Sequence, residues 1–348
     1  MEDLPAFSKD AGSVVAVEDG VPENGVVHKV VSSATPRHFA GLAGVTPKSR
    51  GVVRLDKKAR VGAVSYVRAN SRTPTENPEE YLSFRASSGE VVLSGKALDL
   101  RPSGEAVGAD ARALLEYFGG FSLFRGESEK LARDYFAFWS WLWFGPFMCD
   151  LRNRAQAGHD HVHDYPIFGI LYGKSNCGKS ELVDTLQRSM FGRHGTAQND
   201  WFTTNRVANL MAENRRYPLV FDDLGRDRYS KYAVDLIKED HVRLPEYPVV
   251  VLSMNAAQDA FETEVRKRSF VVYTGASLPD DDPGARDLGR SVKRIKAGLG
   301  TAFYREYLRR LLPRLTGDGS EGPTGEPVDY LALSSSVIVE IVSEHHEG

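Results

Sequence analysis

Ile167-Phe-Gly-Ile-Leu-Tyr172-Gly173-Lys174-Ser175-Asn176-Cys177-Gly178-Lys179-Ser180-Glu-Leu-Val-Asp-Thr-Leu-Gln-Arg188 joins an apolar run to a helix-forming run through a glycine-bounded loop. Residues 173–180 fit G-x-x-x-x-G-K-[ST], a phosphate-binding loop. Ile167–Tyr172 reads as a buried strand and Ser180–Phe191 as a helix. A loop between a strand and a helix start aims backbone N–H groups and the helix dipole at phosphate. Gly173, Lys174, Ser175, Asn176, Cys177 and Gly178 are therefore expected to cradle a nucleotide. Lys179 would neutralise the β- and γ-phosphates, and the Ser180 hydroxyl would enter a Mg²⁺ shell.

Downstream, Tyr217-Pro-Leu-Val-Phe-Asp222-Asp223 is a short apolar strand ending in two acids, the form of a Walker B element. A carboxylate at a strand's carboxyl end can hold Mg²⁺, and its neighbour can polarise an attacking water. Asp222 is assigned to the metal and Asp223 to catalysis as the base. Pro248-Val-Val-Val-Leu-Ser-Met-Asn255 is another buried-type strand, ending in an amide that can sense a γ-phosphate or orient water. Val265-Arg266-Lys-Arg268-Ser-Phe-Val-Val-Tyr273 sets cations ahead of a fourth strand. An arginine there could be offered to a neighbouring subunit's phosphate. Strands at Ile167–Tyr172, Leu219–Phe221, Val249–Ser253 and Phe270–Tyr273 alternate with helical text at Val207–Glu213 and Tyr232–Glu239, which predicts an α/β sheet with parallel pairs.

Six domains or segments are expected. Residues 1–26 hold six acids against Lys9 and read as a flexible leader. Residues 27–108 read as a small β-rich N-terminal domain, with strand text at Gly51–Asp56, Ala63–Arg68, Tyr81–Arg85 and Glu90–Ser94 and a hairpin turn at Ser87-Ser88-Gly89. A helical block at 109–164 contains Trp139, Trp141 and Trp143, with Ser128 as a candidate cap. Base stacking is one use for such aromatics, but stacking platforms alternate with cations and this run has none, so a buried helix is the expectation. The ATPase core spans 165–276. A basic helical region at 277–316 follows, carrying Arg286, Arg290, Lys293, Arg294, Lys296, Arg305, Arg309, Arg310 and Arg314 against Asp287 and Glu306. Residues 317–348 read as a linker and a short terminal helix. The run His159-Asp-His161-Val-His163-Asp164 has spacing that can bind zinc. Such a run is more often a polar loop before a strand, and neither cysteine is near enough in sequence to complete a site. Lining a nucleotide base is a further use.

The chain's 348 residues suit two or three domains. Its formal charge of −3 excludes a globally basic nucleic-acid coat, though not a local patch. Hydrophobic residues at 41% and charged residues at 26% are globular values. Two cysteines, Cys149 and Cys177, allow no disulfide framework and suggest a reducing cytosol. The start Met-Glu-Asp-Leu-Pro has no basic segment followed by an apolar one, so no secretory signal is expected, and the longest near-apolar run, Phe136–Cys149, is too short to span a membrane. A cytoplasmic location is the expectation.

The loop Asn176-Cys-Gly-Lys-Ser180, the Asp222-Asp223 strand end, the strand before Asn255 and an Arg directly ahead of Ser-Phe-Val-Val together resemble superfamily 3 helicases of the AAA+ class, the viral and phage primase-helicase type. The aromatic helical block ahead of the first ATPase strand suits that group too. The resemblance covers about residues 110–315. It implies an α/β fold with a five-stranded AAA+ P-loop ATPase core and a preceding helical block, to which the residues themselves add the small β-rich N-terminal domain. It also implies ATP and Mg²⁺ as cofactors, a homo-oligomeric ring such as a hexamer, and Arg268 as the residue acting in trans. One feature departs from the group. Only 32 residues lie between Asp222 and Asn255, so the pore hairpin that grips DNA is short or absent, with Lys238, His241 and Arg243 as its remnant.

Three functional readings follow. The first is a Mg²⁺-dependent ring ATPase acting on single- or double-stranded DNA in mobile-element or viral replication, supported by the basic helical region. The second is an ATP-switched oligomeric assembly module that gates a partner protein or effector, as in antiviral defence. The third is a piece of a larger polypeptide whose primase or nuclease domain lies elsewhere.

Overall fold

The structure, a computed structural model, describes residues 14–17, 28–31, 52–53, 82–85, 89–158, 161–239, 244–255, 263–279, 283–316 and 328–345. The chain forms two compact units, one of residues 1–78 with 242–244 and one of residues 79–241 with 245–348.

The first unit holds an antiparallel sheet of β1 (Val14–Val17), β2 (His28–Val31) and β3 (Val52–Val53), in that order. β-Branched residues dominate these strands, as a pleated surface favours. β1 lies inside the segment expected as a leader, because Val14-Val-Ala-Val17 is an apolar, β-branched run within acidic text. The rest of that leader, the strand expected at Ala63–Arg68 and the linker at 317–327 lie outside the described residues.

The second unit opens with a hairpin of β4 (Leu82–Arg85) and β5 (Glu90–Leu93), extended by β6 (Lys96–Ala97). Gly89 takes a left-handed φ of 65° at the turn, as the sequence predicts. Phe84 packs edge-on against Phe147, which joins the hairpin to the helices that follow. Those helices are α1 (Gly104–Gly119), α2 (Ser128–Phe144) and α3 (Met148–Gly158). Ser128 proves to be the first helical residue of α2 and not its cap.

The core sheet consists of β7 (Phe168–Gly173), β8 (Leu219–Phe221), β9 (Val250–Asn255) and β10 (Ser269–Thr274). All pairs are parallel and the order is β10-β7-β9-β8. The connecting helices are α4 (Lys179–Phe191), α5 (Thr204–Asn214), α6 (Arg226–Glu239) and the short α7 (Thr263–Lys267). This is a mixed α/β fold, with a parallel sheet and connecting helices arranged as in a phosphate-loop nucleotide-binding core. Among the described residues the sheet has four strands where the resemblance implied five. At the free edge of β8 a single backbone bond, Ala197 N–H to Val220 O at 2.7 Å, stands where a fifth strand would pair. Gly192 to Asp200 contains no apolar run to sustain one.

Three helices close the unit: α8 (Pro283–Gly298), α9 (Ala302–Thr316) and α10 (Tyr330–His345). The buried carboxylate of Asp110 on α1 accepts N–H bonds from Gly300, Ala302 and Phe303, capping α9 across 190 residues of chain. α2 is the centre of the packing. Trp139 and Trp143, four positions apart, meet Phe303 and, for Trp143, Tyr304 and Tyr307 of α9. Trp141 points the opposite way, stacked on Phe270 of β10 at 5.7 Å with its indole N–H bonded to Pro166 O. A Cβ at Gly169 would stand 2.4 Å from that ring, so β7 needs glycine there. Trp139, Trp141 and Trp143 are thus core on both faces of a sandwiched helix, and none of the three is available to stack on bases. Cys149 is buried in the same region, where desolvation pushes its thiol up to about 12.

Candidate nucleotide site

Parallel strands deliver their carboxyl ends to one edge of the sheet, and ligands of such sheets bind in the crevice there. Placing β9 between β7 and β8 sets Asn255 at that edge between the loop after β7 and the acids after β8.

Contacts within the chain fix the shape of the loop. Gly173 has φ 147°, and a Cβ on it would lie 2.1 Å from Thr274 O. Gly178, at φ 81°, turns the chain into α4, and Asn176 also takes a left-handed φ of 58°. The backbone is tied to its surroundings at several points. Lys174 N–H donates to Thr274 O at 3.3 Å, Leu278 N–H to Asn176 O at 2.8 Å, and Tyr135 O–H to Cys177 O at 2.7 Å. Burial pushes the Tyr135 hydroxyl well up, so it stays a neutral donor. The Cys177 thiol is buried, donates to Lys174 O at 2.9 Å and accepts from Thr274 Oγ1 at 2.8 Å. α4 then presents the first-turn N–H groups that no helix can satisfy internally.

Lys179 is buried, and its Nζ donates to Lys174 O at 2.8 Å and Asn255 Oδ1 at 3.0 Å and contacts Cys177 Sγ at 3.2 Å. Ser180 Oγ donates to Asp222 Oδ1 at 2.9 Å. Asn255 Nδ2 donates to Asp223 Oδ1 at 3.2 Å. The sequence-derived residues therefore form two hydrogen-bonded strings, Lys179–Asn255–Asp223 and Ser180–Asp222, which Ser253 Oγ joins into one cluster by bonding to both acids. Its donor set tests whether MgATP fits. The Ser180 hydroxyl and the Asp222 carboxylate offer hard oxygens side by side, the ligands Mg²⁺ prefers, beside a lysine and a helix N-terminus suited to phosphate. The residues fit.

Ser253 escaped the sequence reading as more than strand text. It is buried on β9, donates from Oγ to Asp222 Oδ1, and accepts at the same atom from Asp223 N–H at 3.0 Å. A polar residue two places before Asn255, on the same strand face and in an otherwise apolar run, was the available signal.

Arg268 lies elsewhere. Ser269 pairs with Phe168 and Thr274 with Gly173, so Arg268 sits at the far end of the sheet, about 20 Å from the loop at roughly 3.3 Å per residue. There its guanidinium donates to Lys238 O at 2.6 Å in the last turn of α6 and lies 3.7 Å from Glu264. Of the histidine run, His159 lies outside the described residues, as do His241 and Arg243 of the expected hairpin remnant. No group of three or more potential metal ligands occurs among the described residues.

The basic region is largely neutralised within the chain. Arg290 pairs with Asp287, Arg294 with Glu116, Arg305 with Asp99, Arg309 and Arg310 with Glu306, Arg310 also with Glu344, and Arg314 with Glu340. Lys296 reaches α4, bonding Glu181 at 2.5 Å and Asp184 at 2.7 Å. Burial pulls the Lys296 ammonium down, and those two carboxylates outweigh it and leave it raised. No helix among the described residues is long and apolar enough to cross a membrane.

Residues 94–259 match the family described as Aq_aa27 P-loop NTPase domain, a span that holds the helical block and every member of the hydrogen-bonded cluster. No curated protein matches the chain. Among solved structures, one described as "SCCmec type IV Cch - active helicase" overlays 97% of this chain and 69% of its own at 13% identity, with a TM-score of 0.37. An overlay that loose carries no argument. The candidate site falls within the residues that match that family's domain.

Proposed function

We propose that this chain is a Mg²⁺-dependent ATP hydrolase of superfamily 3 helicase type that works as an oligomeric ring on DNA in mobile-element or viral replication. The observation that carries the ATP-hydrolase part of this reading is the cluster of Lys179, Ser180, Asp222, Asp223 and Asn255 at the carboxyl edge of the sheet. The helicase type, the ring and the DNA rest on the motif resemblance.

Lys179 holds its charge at the base of the phosphate loop, ready to exchange its bonds to Lys174 O and Asn255 Oδ1 for phosphate oxygens. Ser180 and Asp222 would hold Mg²⁺. The metal, when bound, supplies charge neutralisation on the phosphates. Asp223 takes the proton of the attacking water, its carboxylate oriented by Asn255. Arg268 is too far from the loop of its own subunit to serve it, so its proposed role is toward a neighbour's.

A second reading, an ATP-switched assembly module gating a partner protein, is favoured by the internal pairing of the basic helices. Cations already engaged by Glu116, Glu306, Glu340 and Glu344 cost more to turn toward a DNA backbone.

The deciding experiment is steady-state ATP hydrolysis with Mg²⁺, with and without single-stranded DNA, for the wild type and Asp223→Asn. Hydrolysis that DNA stimulates and the variant loses supports the motor. Hydrolysis indifferent to DNA moves the conclusion to the switch. An inactive wild type in both conditions removes the ATPase reading.

A further inference from the structure

Consecutive residues of a strand point to opposite faces, so Asp222 and Asp223 cannot both face one site while the strand stays extended. The chain solves this at Asp223, which takes a left-handed φ of 51°. That conformation is unfavourable for a residue with a Cβ and persists only where neighbours hold it. Ser253 holds one side through Asp223 N–H, and Leu224 N–H donates to Ser253 O at 2.8 Å. The other side is held by a residue outside every recognised motif. Asn199 Nδ2 donates to Asp222 O at 2.8 Å and to Asp223 O at 3.2 Å, spanning both peptide units of the turn.

The segment that carries Asn199 is anchored for this purpose. Ala197 N–H bonds Val220 O, Phe202 packs edge-on against Phe221 at 4.9 Å, and Arg228 binds the Asp200 carboxylate at 2.7 Å and Asp200 O at 3.0 Å. The amide orientation is one-sided. Asn199 Oδ1 is buried with no hydrogen-bond partner among the described residues. A buried acceptor left unpaired costs free energy, and here the two donor bonds to the turn offset it.

We infer that Asn199 is a positioning residue: it holds the left-handed turn at Asp223 that brings both acids to the nucleotide site. This rests on the ATPase reading for its effect on rate, and on geometry alone for its effect on the turn.

The test uses the full chain, with Asn199→Ala and the near-isosteric Asn199→Asp. In Asn199→Ala, ATP hydrolysis should fall about 10-fold or more while affinity for a fluorescent ATP analogue stays within about 3-fold, since misplacing a catalytic group costs rate before binding. Asn199→Asp puts a carboxylate against two carbonyls and should be slower still. Hydrogen exchange at the amides of Asp223 and Leu224 should speed about 10-fold in Asn199→Ala, with β7 and β9 unchanged. A hydrolysing wild type matched in rate by both variants overturns the inference. If the wild type hydrolyses nothing, the ATPase reading fails, and exchange decides alone: unaltered protection at Asp223 and Leu224 overturns the inference.

Discussion

Lys179 Nζ donates to Asn255 Oδ1 at 3.0 Å, joining the phosphate loop to the end of a strand 76 residues away. The same amide donates to Asp223 at 3.2 Å, so a change felt at the lysine reaches the proposed catalytic base through one side chain. Asn255→Ala should therefore lower hydrolysis about 10-fold or more with ATP affinity largely kept, the pattern of an interaction that matters in the transition state. Lys179→Ala should lose affinity and hydrolysis together. Titration with a fluorescent nucleotide beside steady-state rates separates the two, and an Asn255→Ala enzyme of wild-type rate would sink the coupling.

Ser253 serves both acids with one oxygen. Ser253→Ala leaves the Asp223 N–H without its acceptor and removes a donor from Asp222, a loss of about 1–3 kcal/mol for a buried unpaired group. Thermal unfolding should show that loss and hydrolysis should fall. Ser253→Thr, which keeps the hydroxyl, should recover part of the rate. Equal damage from both substitutions would mean that packing on β9 matters and the hydroxyl does not.

Arg268 has a structural bond to Lys238 O and a proposed role toward a neighbouring subunit, and subunit mixing tells them apart. Arg268→Ala alone should bind ATP normally and fail to hydrolyse it at assembling concentrations. Mixed with Asp223→Asn, it should regain activity, because its intact site then meets an intact arginine. Absence of any recovery in assembled mixtures would count against the role in trans.

Three carboxylates tie the last helices together. Burial pushes the Glu306 carboxyl up, but Arg309 and Arg310 outweigh it and hold it low. Arg310 lowers Glu344, and Arg314 lowers Glu340. A carboxyl lowered in the folded state contributes stability that is present above its unfolded value, about 4.3, and is lost as pH falls through the folded value. Glu340 and Glu344 are well exposed, so solvent screens their share and Glu306 should dominate. Glu306→Gln should melt lower than wild type at pH 7 and lose less on going from pH 5 to pH 3. Parallel melting curves across that range would show that the ion pair contributes nothing measurable.

Much of the core could be read from local text. Each core strand lies within two residues of its predicted bounds and α4 within one, because glycine punctuation and apolar runs are properties of contiguous residues. α5 and α6 begin three and six residues before their predicted starts, and the short α7 is not predicted. Asp222-Asp223 and Asn255 stood out because polar groups at the end of an apolar strand are conspicuous. Asn199 did not, lying in a polar loop where any asparagine looks alike. The basic region misled in the opposite sense. Its cations are obvious in a row, whereas Glu116 and Glu340, which take up two of them, are scattered over α1 and α10.

By itself, the sequence determined a strand–loop–helix with glycines where φ must be positive, a buried aromatic helix, and the polar groups that end each core strand. Only the tertiary structure decided that β9 enters between β7 and β8, that Asp223 turns left-handed under Asn199 and Ser253, and that the basic helices spend their charge inside the chain. Strand, helix and glycine-turn preferences follow from neighbours in sequence. Hydrogen bonds and ion pairs between residues tens of positions apart exist only once packing has brought them within 3 Å.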